Sequence, residues 1–401
     1  MINVGVDLHK TQFTICVRGR KGNGFAKYTT DPEGYKAFLS EAAKWQAKGE
    51  QVQAAVESTG NARYFRNRLE EAGIGVKVIN TLKMKVVNQS VKKTDKHDAA
   101  TIAEFLEKDM LPESQLCSQE SEQLRYCLRV RTSLVRTQVK AKNQIHALLT
   151  SEGMEDKKKS LQSKIGRKRV LEALKANRNG VVAEMLVGII DRQDNDINVV
   201  EKQLRTMTKE DRMVELLQTI PGCGDINAWT IRAFTDDIKR FSSPKKYAAF
   251  CGLAPWVQNS NEKVHHGSIT KRGPKELRTA MVQIVMGLRR LKKKTHFWRL
   301  MQRYEAIKKS KGTGKAIIAT ARKIATIIWH MLTNDVEFDA ALMIDPKLAR
   351  KSEKMSGPQR LASEALAEAQ PVKTKVEKKD EGVKKIVRRT GVARKKRKTS
   401  G

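Results

Sequence analysis

Aromatic residues are scarce, at 5% of 401, and no apolar run approaches the length needed to cross a bilayer. The five cysteines, Cys16, Cys117, Cys127, Cys223 and Cys251, are scattered, odd in number and never spaced as Cys-x-x-Cys. That pattern excludes a zinc cluster or a disulfide framework and predicts reduced structural thiols in a cytosolic protein. Met1 leads straight into an apolar strand pattern broken at Asp7, without a charged leader and long apolar core, so no secretory signal is expected. Neither an amphipathic basic helix nor an apolar anchor stands out. A soluble, cytoplasmic protein is expected, nucleoid-associated if bacterial.

What the chain has in excess is positive charge, +35 net with 31% charged residues. Solubility alone seldom needs so much, and the excess points to a polyanionic partner, nucleic acid before membrane.

Apolar and β-prone runs at Ile2 to Val6, Thr11 to Val17 and Phe25 to Thr29 predict a meander, with Gly22 and Gly24 marking a turn. Asp31-Pro32 starts a helix through Trp45, followed by a strand from Gln51 to Val56 that ends at Glu57. A helix from Asn61 to Ala72 and a strand from Val76 to Ile79 come next. Thr94 then caps a helix in which Ala99, Ile102, Ala103 and Leu106 recur at helical spacing.

In that helix Asp95 and Asp98, three residues apart, share a face. Alone, the pair reads as the acidic first turn of an ordinary helix. Two further acids, Asp7 and Glu57, stand at strand ends, and if those strands are neighbours the four carboxylates converge on one sheet edge. Such a cluster is unfavourable without a cation, and an all-oxygen donor set suits Mg²⁺ or Mn²⁺ in phosphodiester chemistry. His9 and His97 lie beside these acids and stay outside the core set, since such histidines are more often second to the ligands or at the surface.

From Ser121 to Thr150 the pattern becomes a long basic helix carrying Arg125, Arg129 and Arg136, and a second runs from Val181 to Met207. A lysine-rich connection around Asp156 to Lys175 joins them, which predicts a helical hairpin or coiled-coil stalk. Its arginines grip phosphates or form a solvated face. Ile220-Pro-Gly-Cys-Gly224 has the look of a helix-hairpin-helix in which Gly222 and Gly224 permit a tight turn and backbone N–H groups meet phosphate; a plain helix-helix turn is the alternative. After a helix to Phe250, a polar loop containing Ser260 and Ser268 is expected, with Lys271, Arg272 and Arg278 close by. A serine attacking a phosphodiester needs activation and nearby cations, whereas most loop serines only serve turns. Helices follow from Lys275 to Leu291 and from Lys315 to Leu332. Beyond Pro346 the composition predicts a disordered tail ending in Arg394-Lys-Lys-Arg-Lys398, a polycation that also resembles a nuclear-import signal.

Gly5-Val-Asp-Leu-His-Lys10, Val56-Glu-Ser-Thr-Gly60, Lys93-Thr-Asp-Lys-His-Asp-Ala99, Ile220-Pro-Gly-Cys-Gly224, Gly252-Leu-Ala-Pro255, Ser260 and Gly267-Ser-Ile-Thr-Lys-Arg-Gly273, with Leu277-Arg278, Gly314-Lys315 and Ala321-Arg-Lys323 beyond, occur in an order that resembles the transposases of insertion-sequence family 110 and the related Piv-type DNA invertases. The resemblance covers about Asn3 to Leu332. It implies an α/β RNase H-like (RuvC-like) N-terminal domain whose acids Asp7, Glu57, Asp95 and Asp98 bind Mg²⁺. It also implies a mainly α C-terminal domain with a serine, Ser260 by position, that forms a phosphoserine link to DNA. A structured noncoding RNA guide for donor and target DNA, and homo-oligomers (dimer or tetramer) with the two domains drawn from different subunits, are implied as well. Asn261 stands where a glycine often follows the family's serine, which keeps Ser268 as a second candidate. The lysine-rich insertion and the cationic tail are not part of the family's usual pattern.

The expected organisation is a catalytic domain over 1–115, a basic helical region over 116–210, a C-terminal transposase domain over 211–340 and the tail over 346–401. An RNA-guided, metal-dependent serine recombinase is the expected function. A structure-selective RuvC-like endonuclease, which needs the acids and no serine, is the enzyme alternative, and a binding or scaffold protein with a decayed site is the third reading.

Overall fold

In the computed structural model the described residues are 1–19, 22–81, 83–84, 94–154, 160–175, 179–260, 263–291, 295 and 298–344. The tail, the lysine-rich stretch at 155–159 and residues 176–178 lie outside them. The chain divides into two compact units. One comprises Met1–Val214, Asp225–Ser242 and Pro274–Ala280, the other Glu215–Gly224, Ser243–Gly273 and Met281–Gly401.

The first unit begins with β1 (Ile2–Leu8), β2 (Gln12–Gly19) and β3 (Gly22–Thr29), then α1 (Pro32–Ala47), β4 (Val52–Glu57), α2 (Ala62–Glu71), β5 (Gly75–Ile79) and α3 (Asp95–Glu107). These strands form one sheet in the order β3-β2-β1-β4-β5. The meander β1-β2-β3 is antiparallel, whereas β4 and β5 run parallel to β1. Gly22 and Gly24 lie inside β3 rather than in a turn.

Side chains alternate across a strand, so Val4, Val6, Ala54 and Val56 enter one core with Phe38 of α1 and Phe65 of α2. The opposite face, with Ala55 and Cys16, receives α3 through Ala99, Ile102 and Ala103.

Gly5 sets how closely α3 approaches. A Cβ there would lie 2.1 Å from the Ala99 carbonyl oxygen and 2.3 Å from the Ala103 nitrogen. Backbone therefore packs on backbone. Gly5→Ala should destabilise the unit by at least about 1–3 kcal/mol, read as a lowered urea midpoint, because neither partner is a side chain that can swing aside.

Beyond the sheet stand α4 (Gln119–Ser151), α5 (Lys164–Lys175) and α6 (Gly180–Met207). Arg131 pairs with Glu201 at 2.8 Å and Gln138 with Asp194 at 2.5 Å, so α4 and α6 run antiparallel. Ala141, Ile145 and Leu149 meet Ala183, Leu186, Val187 and Ile190 between them. The connection expected to be merely lysine-rich contains α5, whose Leu174 and Val170 join that core. Its Arg167 is buried and held by Asp191 at 2.9 Å and Asp194 at 2.8 Å, the pairing a buried guanidinium requires.

Further along are α7 (Arg212–Gln218) and α8 (Asp225–Thr235), then α9 (Pro244–Phe250), β6 (Pro255–Ser260), β7 (Lys263–Ile269), α10 (Lys275–Arg290), α11 (Arg299–Lys311) and α12 (Thr313–Asn334). One sequence expectation changes here, and one helix is added. The polar loop after Phe250 is an antiparallel hairpin with a register shift between Pro255 and Val257. Helix α11, not among the expected helices, buries Leu300, Met301 and Tyr304. No described helix is long and apolar enough to cross a membrane, and the five cysteines are free thiols.

Candidate functional site

Asp7 sits two residues beyond Gly5, and strand alternation puts both on the face that carries α3. Parallel register pairs Gly5 with Ala55 and Val6 with Val56, so Glu57, two residues beyond Ala55, ends β4 on that same face of the sheet, outside the group of Asp7, His9 and Asp95 whose ligand atoms cluster. The order of the sheet therefore brings two acids, 50 residues apart in sequence, to one edge.

Helix α3 supplies the other pair. Thr94 is extended and its hydroxyl accepts from the His97 N–H at 3.3 Å, which starts the helix at Asp95. Asp95 lies one turn before Ala99, the residue seated on Gly5, so its carboxylate is carried to the end of β1.

Among the described residues Asp7, His9 and Asp95 each offer one ligand atom, all within 4.8 Å of one another. The His9 Nε2 is 3.1 Å from the Asp7 Oδ2 and 3.7 Å from the Asp95 Oδ1. Asn61 donates to the His9 carbonyl at 2.9 Å, tying the segment after β4 to the turn after β1. Burial pushes the Asp7 carboxyl above its usual range; His9 opposes the shift, and the charges of Asp95 and Asp98 add to it.

The structure thus gathers Asp7 and Asp95 in one cluster, sets Asp98 within electrostatic reach of Asp7, and ends Glu57 on the adjoining strand. His9, outside the expected core set, is the addition. Its signal was the i, i+2 spacing from Asp7, but β1 ends at Leu8 and spacing alone does not orient a residue beyond a strand.

A carboxyl whose folded pKa is raised stabilises the fold below its unfolded pKa, and that contribution is lost as pH rises through the folded pKa. At neutral pH, ionised Asp7 is therefore a liability in the metal-free protein. Asp7→Asn should raise the melting temperature at pH 7 by about 1–2 °C, with no gain at pH 3 where Asp7 is protonated, and should abolish any rise on adding Mn²⁺. Scanning calorimetry of both proteins measures each shift.

The donors fit a hard divalent cation, being carboxylate oxygens with one imidazole alongside, in a site where the acids repel one another.

The expected nucleic-acid residues fall into different settings. Arg125 donates to the Ala233 carbonyl at 2.8 Å and stacks 4.9 Å from the Phe234 ring centroid, so its guanidinium serves the joint between α4 and α8. The same joint holds Asp236, which accepts from the Ser118 and Ser121 hydroxyls at 2.6 Å each. Arg129 and Arg136 are exposed on α4, and Arg129 lies over Tyr126. Gly222, at φ +86°, packs on α10: a Cβ would sit 3.1 Å from the Gly287 Cα. Packing thus accounts for Gly222, while the space beside Gly224 is open. The segment between α7 and α8 is a turn, as both sequence readings required. Ser260 is the last residue of β6, paired with Lys263. Ser268 lies in β7 and is exposed. Lys271 and Arg272 are exposed after the hairpin, Lys271 at φ +53°, and Arg278 is half-buried in α10.

Residues 4–153 match the family of DEDD transposases of IS110, described as transposase. Residues 214–299 match the family described as transposase of IS116/IS110/IS902. The chain is similar to the transposase for insertion sequence element IS1111A of Coxiella burnetii, 28% identical over 345 residues that span 82% of this chain and 89% of that protein. The transposase for insertion sequence element IS1328 of Yersinia enterocolitica is 25% identical over 343 residues, 84% and 98% of the two chains. Similarity extends to the pilin gene-inverting protein of Moraxella bovis, 24% identical over 347 residues, 84% and 97% of the two.

Proposed function

Because this chain belongs to the IS110 family of transposases and is thus a DNA transposase or recombinase, we propose that it cuts and rejoins DNA at the ends of its own insertion element with Asp7, Glu57, Asp95 and Asp98 as the metal-binding tetrad. The observation that carries this reading is the convergence of Asp7 and Asp95 at the ends of β1 and α3. The sheet order, with an antiparallel meander followed by two parallel strands, supports an RNase H-like, RuvC-like fold.

Mg²⁺, or Mn²⁺ in its place, would activate an attacking oxygen and stabilise a leaving one. The chain's own contribution is to hold the carboxylates in fixed relation through the Gly5 contact, with His9 placed to orient Asp7 by a hydrogen bond. Ser260 is the proposed nucleophile. Its oxygen would form a bond to phosphorus as the bond from phosphorus to the deoxyribose oxygen breaks, with the serine proton passing to the departing oxygen. Lys271 and Arg272 would steady the charge on the phosphate. A structured noncoding RNA guide, a homo-oligomer and division into catalytic, stalk and C-terminal domains complete the reading. Exposed Arg129 and Arg136 suit phosphate contacts on the stalk.

The test uses duplex DNA carrying the element's ends, the purified full chain and its RNA, with Mg²⁺ or Mn²⁺ added or chelated. Metal-dependent strand cleavage with protein attached to a DNA end is the expected result. Cleavage without attached protein favours the RuvC-like endonuclease reading; no cleavage by folded protein in either metal overturns the catalytic reading.

A further inference from the structure

Outside the acidic site, one cationic cleft has no assigned role. It lies within the second unit, between α11 and α12, which fold back on each other across Gly312 at φ +84°. The cleft has a volume of about 280 Å³ and is lined by Leu300, Arg303 and Ile307 from α11 and by Arg322, Lys323 and Thr326, among others, from α12.

Its charge is one-sided. Over residues 299–334 eight lysines and arginines stand against a single acid, Glu305. Glu305 is occupied by Lys308 at 3.3 Å. Arg303, Arg322 and Lys323 are all exposed, and none of the three forms an ion pair among the described residues. Three unneutralised cations around one cleft repel one another and favour an anion with several charged groups.

The hydroxyls add little recognition. Thr320 donates to the Ala316 carbonyl at 2.9 Å and Thr326 to the Arg322 carbonyl at 3.2 Å, so both protons are spent on the helix backbone. Beyond the guanidinium and ammonium N–H groups themselves, free donors and acceptors are therefore few. A lining whose polar groups are chiefly cations suits phosphates, and contacts to phosphate carry no sequence information.

We propose that the cleft between α11 and α12 grips the phosphodiester backbone of a nucleic acid through Arg303, Arg322 and Lys323, positioning the strand without reading its bases. This rests on the recombinase reading for its choice of polyanion and adds a binding site remote in sequence from the acids. DNA and RNA share the chemistry, and the experiment separates them.

The triple variant Arg303→Gln/Arg322→Gln/Lys323→Gln is compared with the wild-type full chain by fluorescence anisotropy. Probes are two labelled duplex DNAs of unrelated sequence and one labelled hairpin RNA, titrated over a range of KCl concentrations. Each lost phosphate contact lowers the slope of log affinity against log salt by about 0.9 on duplex DNA. The expected drop is about 2–3 in slope, equal for the two DNAs, with Arg303→Lys/Arg322→Lys retaining the wild-type slope. A drop on the RNA alone assigns the cleft to RNA. An unchanged slope on all three probes, in a variant whose circular dichroism and melting temperature are unaltered, overturns the proposal. Repeating the comparison in an Asp95→Asn background keeps the outcomes apart. A slope change there holds whether or not the chain cleaves DNA, and cleavage with an unchanged slope removes the cleft alone.

Discussion

Asp95→Asn should reduce metal-dependent DNA cleavage by about 10³-fold or more while leaving DNA affinity and the melting temperature of the metal-free protein nearly unchanged. The size follows from what the substitution removes. One charged ligand is replaced by a neutral amide in a site whose proposed task is to stabilise charge on the reacting phosphate, and such electrostatic contributions amount to several kcal/mol. At 1.36 kcal/mol per tenfold in rate, about 4 kcal/mol gives the stated factor. The fold should tolerate the change, because Asp95 is 45% exposed and the helix start depends on Thr94, not on the Asp95 side chain. Single-turnover cleavage of end-labelled duplex measures the rate, and wild-type cleavage by this variant would remove Asp95 from the tetrad.

Ser260→Ala should abolish covalent protein-DNA adducts altogether, since a methyl group offers no oxygen to phosphorus. Binding should persist. The backbone of Ser260 pairs with Lys263 at the end of β6, and alanine retains that N–H and carbonyl. Denaturing gels of reactions with labelled DNA detect the adduct directly. Adducts that survive Ser260→Ala and vanish with Ser268→Ala would move the nucleophile to β7, where Ser268 is exposed.

Much of the candidate acidic site is legible in the sequence because its parts are local. Asp7 and Glu57 close apolar runs of strand length, and Thr94 followed by residues at helical spacing announces α3. The ends of α4 and α6 follow from unbroken periodicity and fall within about two residues of expectation, the ordinary uncertainty of a helix end. What was hidden depends on contacts between distant segments. Gly5 looks like any strand glycine until Ala99 is known to lie on it. Arg125 reads as a phosphate contact until the Ala233 carbonyl and the Phe234 ring claim it. Helix α11 has a weak signal in sequence because its apolar face is short and embedded among basic residues. The hairpin around Ser260 resembles a loop in sequence because histidine, asparagine and glycine weaken the β signal, and pairing between its two arms overrides that weakness.

The contact at Gly5 has a mechanical meaning for the acids it brings together. At its far end α3 is moored to β2 by Arg18, 2.8 Å from Glu107, and at its middle it rests directly on β1. Asp95 and Asp98 therefore occupy the overhanging end of a beam clamped at two points. Sliding that beam by a single residue would shift both carboxylates by about 1.5 Å, a large fraction of a metal-oxygen bond. The spacing of the acids is thus gauged by main-chain thickness, a dimension that side-chain drift elsewhere in the sheet leaves untouched.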